Sequence, residues 1–128
     1  MGATEHQSIL IVDDEEIIRD FLSEVLEEYD ITLACDGDEA IERLKERPFD
    51  LIITDLRMPK VPGQEVVRAA RELRPEARVI VISGYSSLHT VSQSVSHGAC
   101  AFLSKPFSIK ELMQTVATAL EEQGGIHG

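Results

Sequence analysis

Five polar residues define the chemistry open to this chain: Asp13, Asp14, Asp55, Ser83 and Lys105. Three carboxylates brought together repel one another, and each resists ionisation unless a cation joins them. Ligands made only of oxygen, with room for water, suit Mg2+ or Mn2+, whereas zinc would prefer His or Cys. A metal so held could bridge a carboxylate and an incoming phosphoryl oxygen and neutralise charge as transfer proceeds. Lys105 is a long, mobile point charge able to reach another phosphoryl oxygen. Ser83 offers a hydroxyl donor to a third. A carboxylate that attacks phosphorus in these surroundings becomes an acyl phosphate. The residue types therefore point to phosphoryl capture on an aspartate.

These residues lie far apart in the chain, so a scaffold must bring them together. Ile9-Leu10-Ile11-Val12 is too short for a helix and apolar on both faces, the pattern of a buried parallel strand. Leu51-Ile52-Ile53-Thr54, Val79-Ile80-Val81-Ile82 and Ala101-Phe102-Leu103 read the same way, and Ile31 to Ala34 is a weaker candidate. Amphipathic stretches separate them. Ile17, Ile18, Phe21, Leu22, Val25, Leu26 and Tyr29 recur at helical spacing. Glu15-Glu16 reads as an acidic first turn, which the helix dipole favours. Ala40, Ile41 and Leu44 mark a short helix that stops at Pro48. Pro59, Pro62 and Gly63 make a stiff turn before a helix with Val66, Val67, Ala70 and Leu73, which Pro75 ends. Ser108 and Glu111 form a capping box opening a last helix with Ile109, Leu112, Met113, Val116 and Leu120 on one face. The stretch Ser86 to His97 is the poorest helix. It holds five serines and no charged residue, so it is expected to be locally weak and mobile.

Strands alternating with helices predict an α/β fold: a doubly wound, five-stranded parallel sheet with five helices, of the flavodoxin-like kind. The order 2-1-3-4-5 is expected by analogy with known folds of this winding. In such a sheet every strand's carboxyl end opens on one edge, where ligands bind. Asp13-Asp14, Asp55, Ser83-Gly84 and Lys105-Pro106 each fall at such an end. Polar residues commonly follow strands, so one of them alone would mean little.

The chain of 128 residues fits one domain, expected over 8–122, with 1–7 and 123–128 as flexible termini or linker residues. No apolar run approaches the ~18 residues of a membrane span. The polar start lacks a signal-peptide pattern, and His6 stands where a myristoylation motif needs Ser or Thr. Cys35 and Cys100 show no metal spacing and are expected as small buried hydrophobes in a reduced, cytoplasmic compartment. His89 and His97 are eight apart, not four, and are expected on the surface. A net charge of −11 argues against this domain gripping nucleic acid, and otherwise serves solubility.

Ile-Leu-Ile-Val-Asp-Asp at 9–14, Ile-Thr-Asp-Leu-Arg-Met-Pro at 53–59, Ile-Ser-Gly at 82–84 and Phe-Leu-Ser-Lys-Pro-Phe at 102–107 resemble the receiver domains of bacterial response regulators. The resemblance runs from Ser8 to about Glu122, with its motifs in order at the expected strand ends. It implies that Asp55 is the phosphoacceptor, charged from the phosphohistidine of a sensor histidine kinase. It implies Mg2+ held by Asp13, Asp14, Asp55 and the backbone carbonyl of Arg57, and a phosphoryl contact from Lys105, whose bond to Pro106 is expected cis. Ser83 and Phe102 look like the switch pair, with the ring turning inward as the hydroxyl moves toward the phosphoryl group. The surface of helix four, strand five and helix five would then change for a downstream protein or a covalently linked output domain. Such a domain is not an enzyme beyond catalysing its own phosphorylation and dephosphorylation.

Arg57 and Tyr85 occupy positions that tune acyl-phosphate hydrolysis in this family. The paired charges of one common dimer surface are missing, since Ala101 precedes the switch aromatic. A flavin-binding module would need a Ser/Thr/Gly loop where Asp13-Asp14-Glu15-Glu16 stands. An aspartate phosphatase usually places a second Asp two residues after its nucleophile, where Arg57 stands. The remaining alternative is a receiver-like interaction module that works without phosphorylation, whose sign would be loss of the acidic pair, Asp55 or Lys105.

Overall fold

Each apolar run forms a strand because β-branched side chains pack well on a pleated surface, and the pleat sends successive residues to opposite faces. A computed structural model describes residues 7–84 and 88–124. Tyr85, the serines at 86 and 87, the side chain of His89 and the tail at 125–128 lie outside the described residues. The order of elements is β1 (Ser8–Val12), α1 (Glu16–Val25), β2 (Asp30–Ala34), α2 (Gly37–Glu46), β3 (Leu51–Asp55), α3 (Gly63–Leu73), β4 (Arg78–Ser83), α4 (Leu88–Ser96), β5 (Ala101–Ser104) and α5 (Ile109–Gly124). The sheet runs β2-β1-β3-β4-β5 with every pair parallel, as expected.

The pleat divides the core in two. Leu10, Val12, Ile52, Val79 and Val81 face one side, with Ala40 and Leu44 of α2 and Val66, Val67 and Ala70 of α3. Ile9, Ile11, Leu51, Ile53, Ile80 and Ile82 face the other, with Leu22 of α1 and Leu112 and Val116 of α5. β2 is an edge strand, and Leu33 there is partly open to solvent. Among the described residues no helix is long and apolar enough to cross a membrane.

α5 and α2 begin where side chains satisfy their free amides. The Ser108 hydroxyl accepts from the Glu111 amide at 3.0 Å while the Glu111 carboxylate accepts from the Ser108 amide at 2.9 Å. This is the capping box the sequence predicts. α2 has a related start: Asp36 accepts from the Glu39 amide, and Glu39 accepts from the Cys35 amide, each at 2.8 Å.

Several expectations need correction. Ile17 is 79% exposed, Ile109 51% and Met113 43%. The apolar stripes of α1 and α5 are wider than the strip of sheet beneath them, so residues at the stripe margins turn to solvent. Leu73, at the last turn of α3, is also partly exposed. Cys35 and Cys100 are both exposed. Cys35 follows the last residue of β2 and Cys100 precedes the first of β5, so both lie in turns beyond the covered strands. His97, expected on the surface, is half-buried just past α4.

Candidate functional site

Parallel pairing places the end of β3 beside the ends of β1 and β4, and Ser83 of β4 in register with Ser104 of β5. Asp55 is the last residue of β3 and Ser83 the last of β4, while Asp13 and Lys105 stand one residue past β1 and β5. The Lys105 amide donates to the Ser83 carbonyl at 2.9 Å, extending the ladder one step past β5. The peptide bond from Lys105 to Pro106 is cis.

At this edge the Lys105 ammonium donates to Asp55 Oδ2 at 2.9 Å and lies 3.6 Å from Asp13 Oδ2 and 3.7 Å from Glu15 Oε1. The Arg57 amide donates to the other Asp55 oxygen at 3.1 Å. Asp13 is 2% exposed, Asp55 6% and Ser83 0%, whereas Asp14 stands in solvent. Phe102, on the strand that leads to Lys105, is half-buried against the α2–α3 side of the core.

The electrostatics follow from this crowding. Burial raises the Asp13 carboxyl to about 6; the Glu15 amide and Lys105 pull it back, while Asp55 and Asp14 add to the rise. Burial alone would lower the Lys105 pKa. The hydrogen bond to Asp55 and the charges of Asp13, Asp55 and Glu15 overcome it, and the net direction is upward. One ammonium therefore faces three carboxylates, a site short of positive charge. Carboxylate oxygens of Asp13, Asp14 and Asp55 all lie within 4.8 Å of one another. An all-oxygen donor set of this charge fits a hard divalent cation such as Mg2+.

Three residues that the sequence reading did not assign to the site help build it. Glu15 is a further partner of Lys105, and its amide donates to Asp13 Oδ1 at 2.9 Å. Arg19 reaches back from α1 to the Asp13 carbonyl at 2.7 Å. Gly63 opens α3 so close to β3 that a Cβ there would stand 2.0 Å from the Asp55 carbonyl oxygen, so only glycine fits. The signal for Glu15 was its place beside the acidic pair. Nothing in the spacing of Arg19 marks it.

Comparison with known proteins shows the family. The family described as response regulator receiver domain matches residues 9–117. Response regulator protein PilR of Pseudomonas aeruginosa is 40% identical over 116 residues, covering 89% of this chain and 26% of PilR. Response regulator receiver protein CpdR of Brucella abortus is 34% identical over 114 residues, covering 88% of this chain and 95% of CpdR. The chain thus spans about a quarter of PilR and nearly all of CpdR. The solution structure of the beryllofluoride-activated NtrC4 receiver domain dimer matches with a TM-score of 0.85 and 38% identity, over 91% of this chain and 98% of that one. With its motifs, its sheet order and its acidic edge all in accord, this chain belongs to the response regulator receiver domains of two-component signalling.

Proposed function

We propose that Asp55 accepts a phosphoryl group from the phosphohistidine of a sensor histidine kinase. The observation that carries this reading is the Asp55 carboxylate itself. It is nearly buried, hydrogen-bonded to Lys105, and within cation-sharing distance of Asp13 and Asp14. An Asp55 oxygen attacks phosphorus, the P–N bond breaks, and its electron pair leaves with the donor imidazole, giving an acyl phosphate. Lys105 then pairs with a phosphoryl oxygen in place of Asp55 Oδ2. Asp13, Asp14, Asp55 and the Arg57 backbone carbonyl would hold Mg2+, with Mn2+ as a substitute. The cation supplies charge neutralisation at the transferring phosphoryl oxygens. The chain's catalysis is confined to its own phosphorylation and its hydrolytic reversal.

Ser83 turns its hydroxyl to the phosphoryl group, and Phe102 moves inward on the side of β5 that faces away from α5. The surface of α4, β5 and α5 changes with it, and a downstream protein or a linked output domain reads that change in the cytoplasm. The resemblance to NtrC4, whose receiver is activated by beryllofluoride, supports a response to a phosphoryl-shaped group. The test is intact mass after incubation with acetyl phosphate, with and without Mg2+, for wild type and Asp55→Asn. One phosphoryl group is expected on wild type only, and only with Mg2+. No addition under any condition would replace this reading with an interaction module that works unphosphorylated.

A further inference from the structure

Asp13 is tied at every polar group the structure records. Its amide donates to the Ala34 carbonyl of β2 at 3.2 Å. One carboxylate oxygen accepts from the Glu15 amide at 2.9 Å, and the other faces Lys105 at 3.6 Å. Its carbonyl stands one residue past the last register pairs of β1 with β2 and β3. That carbonyl accepts from Arg19 Nη1 at 2.7 Å, a short, charge-assisted bond. Arg19 stands in the first turn of α1, and the residue as a whole is half-buried. A buried carbonyl at a sheet edge needs such a partner, or else water, to stay where it is.

We propose that Arg19 is a positioning residue for the divalent cation: by fixing the Asp13 carbonyl it sets the backbone from which both Asp13 and Asp14 project. The idea rests on the phosphoacceptor reading above, and it assigns work to a residue that touches neither cation nor phosphoryl group. Asp13 and Asp14 share one peptide unit, and the Asp13 carbonyl belongs to that unit. Releasing the carbonyl lets the unit rotate, which moves the Asp14 side chain. Partners of this kind, one bond removed from a ligand, alter metal affinity by about 10–100-fold when removed.

Three proteins test it: wild type, Arg19→Met, which keeps the aliphatic stem without a donor, and Arg19→Lys, which keeps a donor. Mg2+ binding is measured by calorimetry, and the rate of phosphorylation by acetyl phosphate is followed across Mg2+ concentration. Circular dichroism establishes that each variant is folded. Arg19→Gln, polar but too short to reach, stands in for Arg19→Met if that variant is not folded. Arg19→Met is expected to bind Mg2+ about 10–100-fold more weakly, with Arg19→Lys recovering most of the loss. The Mg2+ concentration for half-maximal phosphorylation should rise while the rate at saturating Mg2+ is unchanged. Equal Mg2+ affinity in folded Arg19→Met and wild type would overturn the role of Arg19. So would a saturated rate that falls while affinity holds, since that is general damage to the site. Wild type that binds no Mg2+ at all would overturn the phosphoacceptor reading itself, and this inference with it.

Discussion

α4 and α5 are the two helices nearest the last strands of the sheet, and they are built in opposite ways. α5 spans Ile109–Gly124, starts from a two-way capping box, and buries Leu112, Val116, Ala119 and Leu120 against Ile80, Ile82 and Leu103. α4 spans only Leu88–Ser96, and the one fully buried side chain among those described from Val91 to Ser96 is a serine, Ser94. Val95 on the same helix is 56% exposed. Among the described residues, Gln93 of α4 accepts from Gln64 of α3 at 3.1 Å, and Gly98, just past the helix, lies against the Arg71 side chain. Apolar burial fixes a helix far more firmly than an exposed amide pair does. The lesson is a division of labour around one strand. α5 gives β5 an apolar backing, while the described part of α4 buries little apolar surface beside it.

Three measurements press on that contrast. The largest effect is expected from Leu112→Ala, which empties a fully buried site in α5. Urea unfolding should show a loss of about 2–5 kcal/mol. A loss under about 1 kcal/mol would erase the claim that α5 is the fixed partner. The second measurement brings in the acidic edge, which is well tied by hydrogen bonds yet electrostatically loaded. An unfolded Asp titrates near 4, whereas the folded Asp13 carboxyl titrates at about 6. Between those values the folded protein keeps a proton that the unfolded chain has lost, so stability falls as pH rises and levels off above the window. In EDTA, wild type should lose stability relative to Asp13→Asn as pH rises from about 4 to about 6. Parallel pH profiles for the two proteins would show that burial does not strain this carboxylate. The smallest effect is local. Amides of α4 should exchange with solvent at least about tenfold faster than those of α5. Gln64→Ala should widen the gap while changing global stability by less than about 0.5 kcal/mol. Equal protection in the two helices would end the comparison.

Much of this architecture was legible in the chain. Four short apolar runs and a fifth weaker one become the five strands, because a run apolar on both faces has nowhere to go but between two layers of helices. Asp13, Asp14, Asp55 and Lys105 meet because parallel strands end on one edge, where Ser83 is the last residue of β4. The capping box at Ser108 is a local signal and needs no tertiary knowledge. What escaped depends on distances that periodicity does not encode. Ile17, Ile109 and Met113 fit a helical stripe, but how far each helix is rolled against the sheet decides which margin residues are covered. Gly63 looked like an ordinary turn residue until the backbone of α3 came within reach of Asp55. Arg19 and Glu15 are charged residues on an exposed-looking first turn, and only the folded loop aims them at Asp13 and Lys105.

The adjacent residues Phe102 and Leu103 belong to different halves of the core. The sheet therefore acts as a partition wall, with successive side chains of β5 packed in separate rooms. A change of side-chain volume beside Phe102 is met first by the α2–α3 side, and one beside Leu103 by the α1–α5 side.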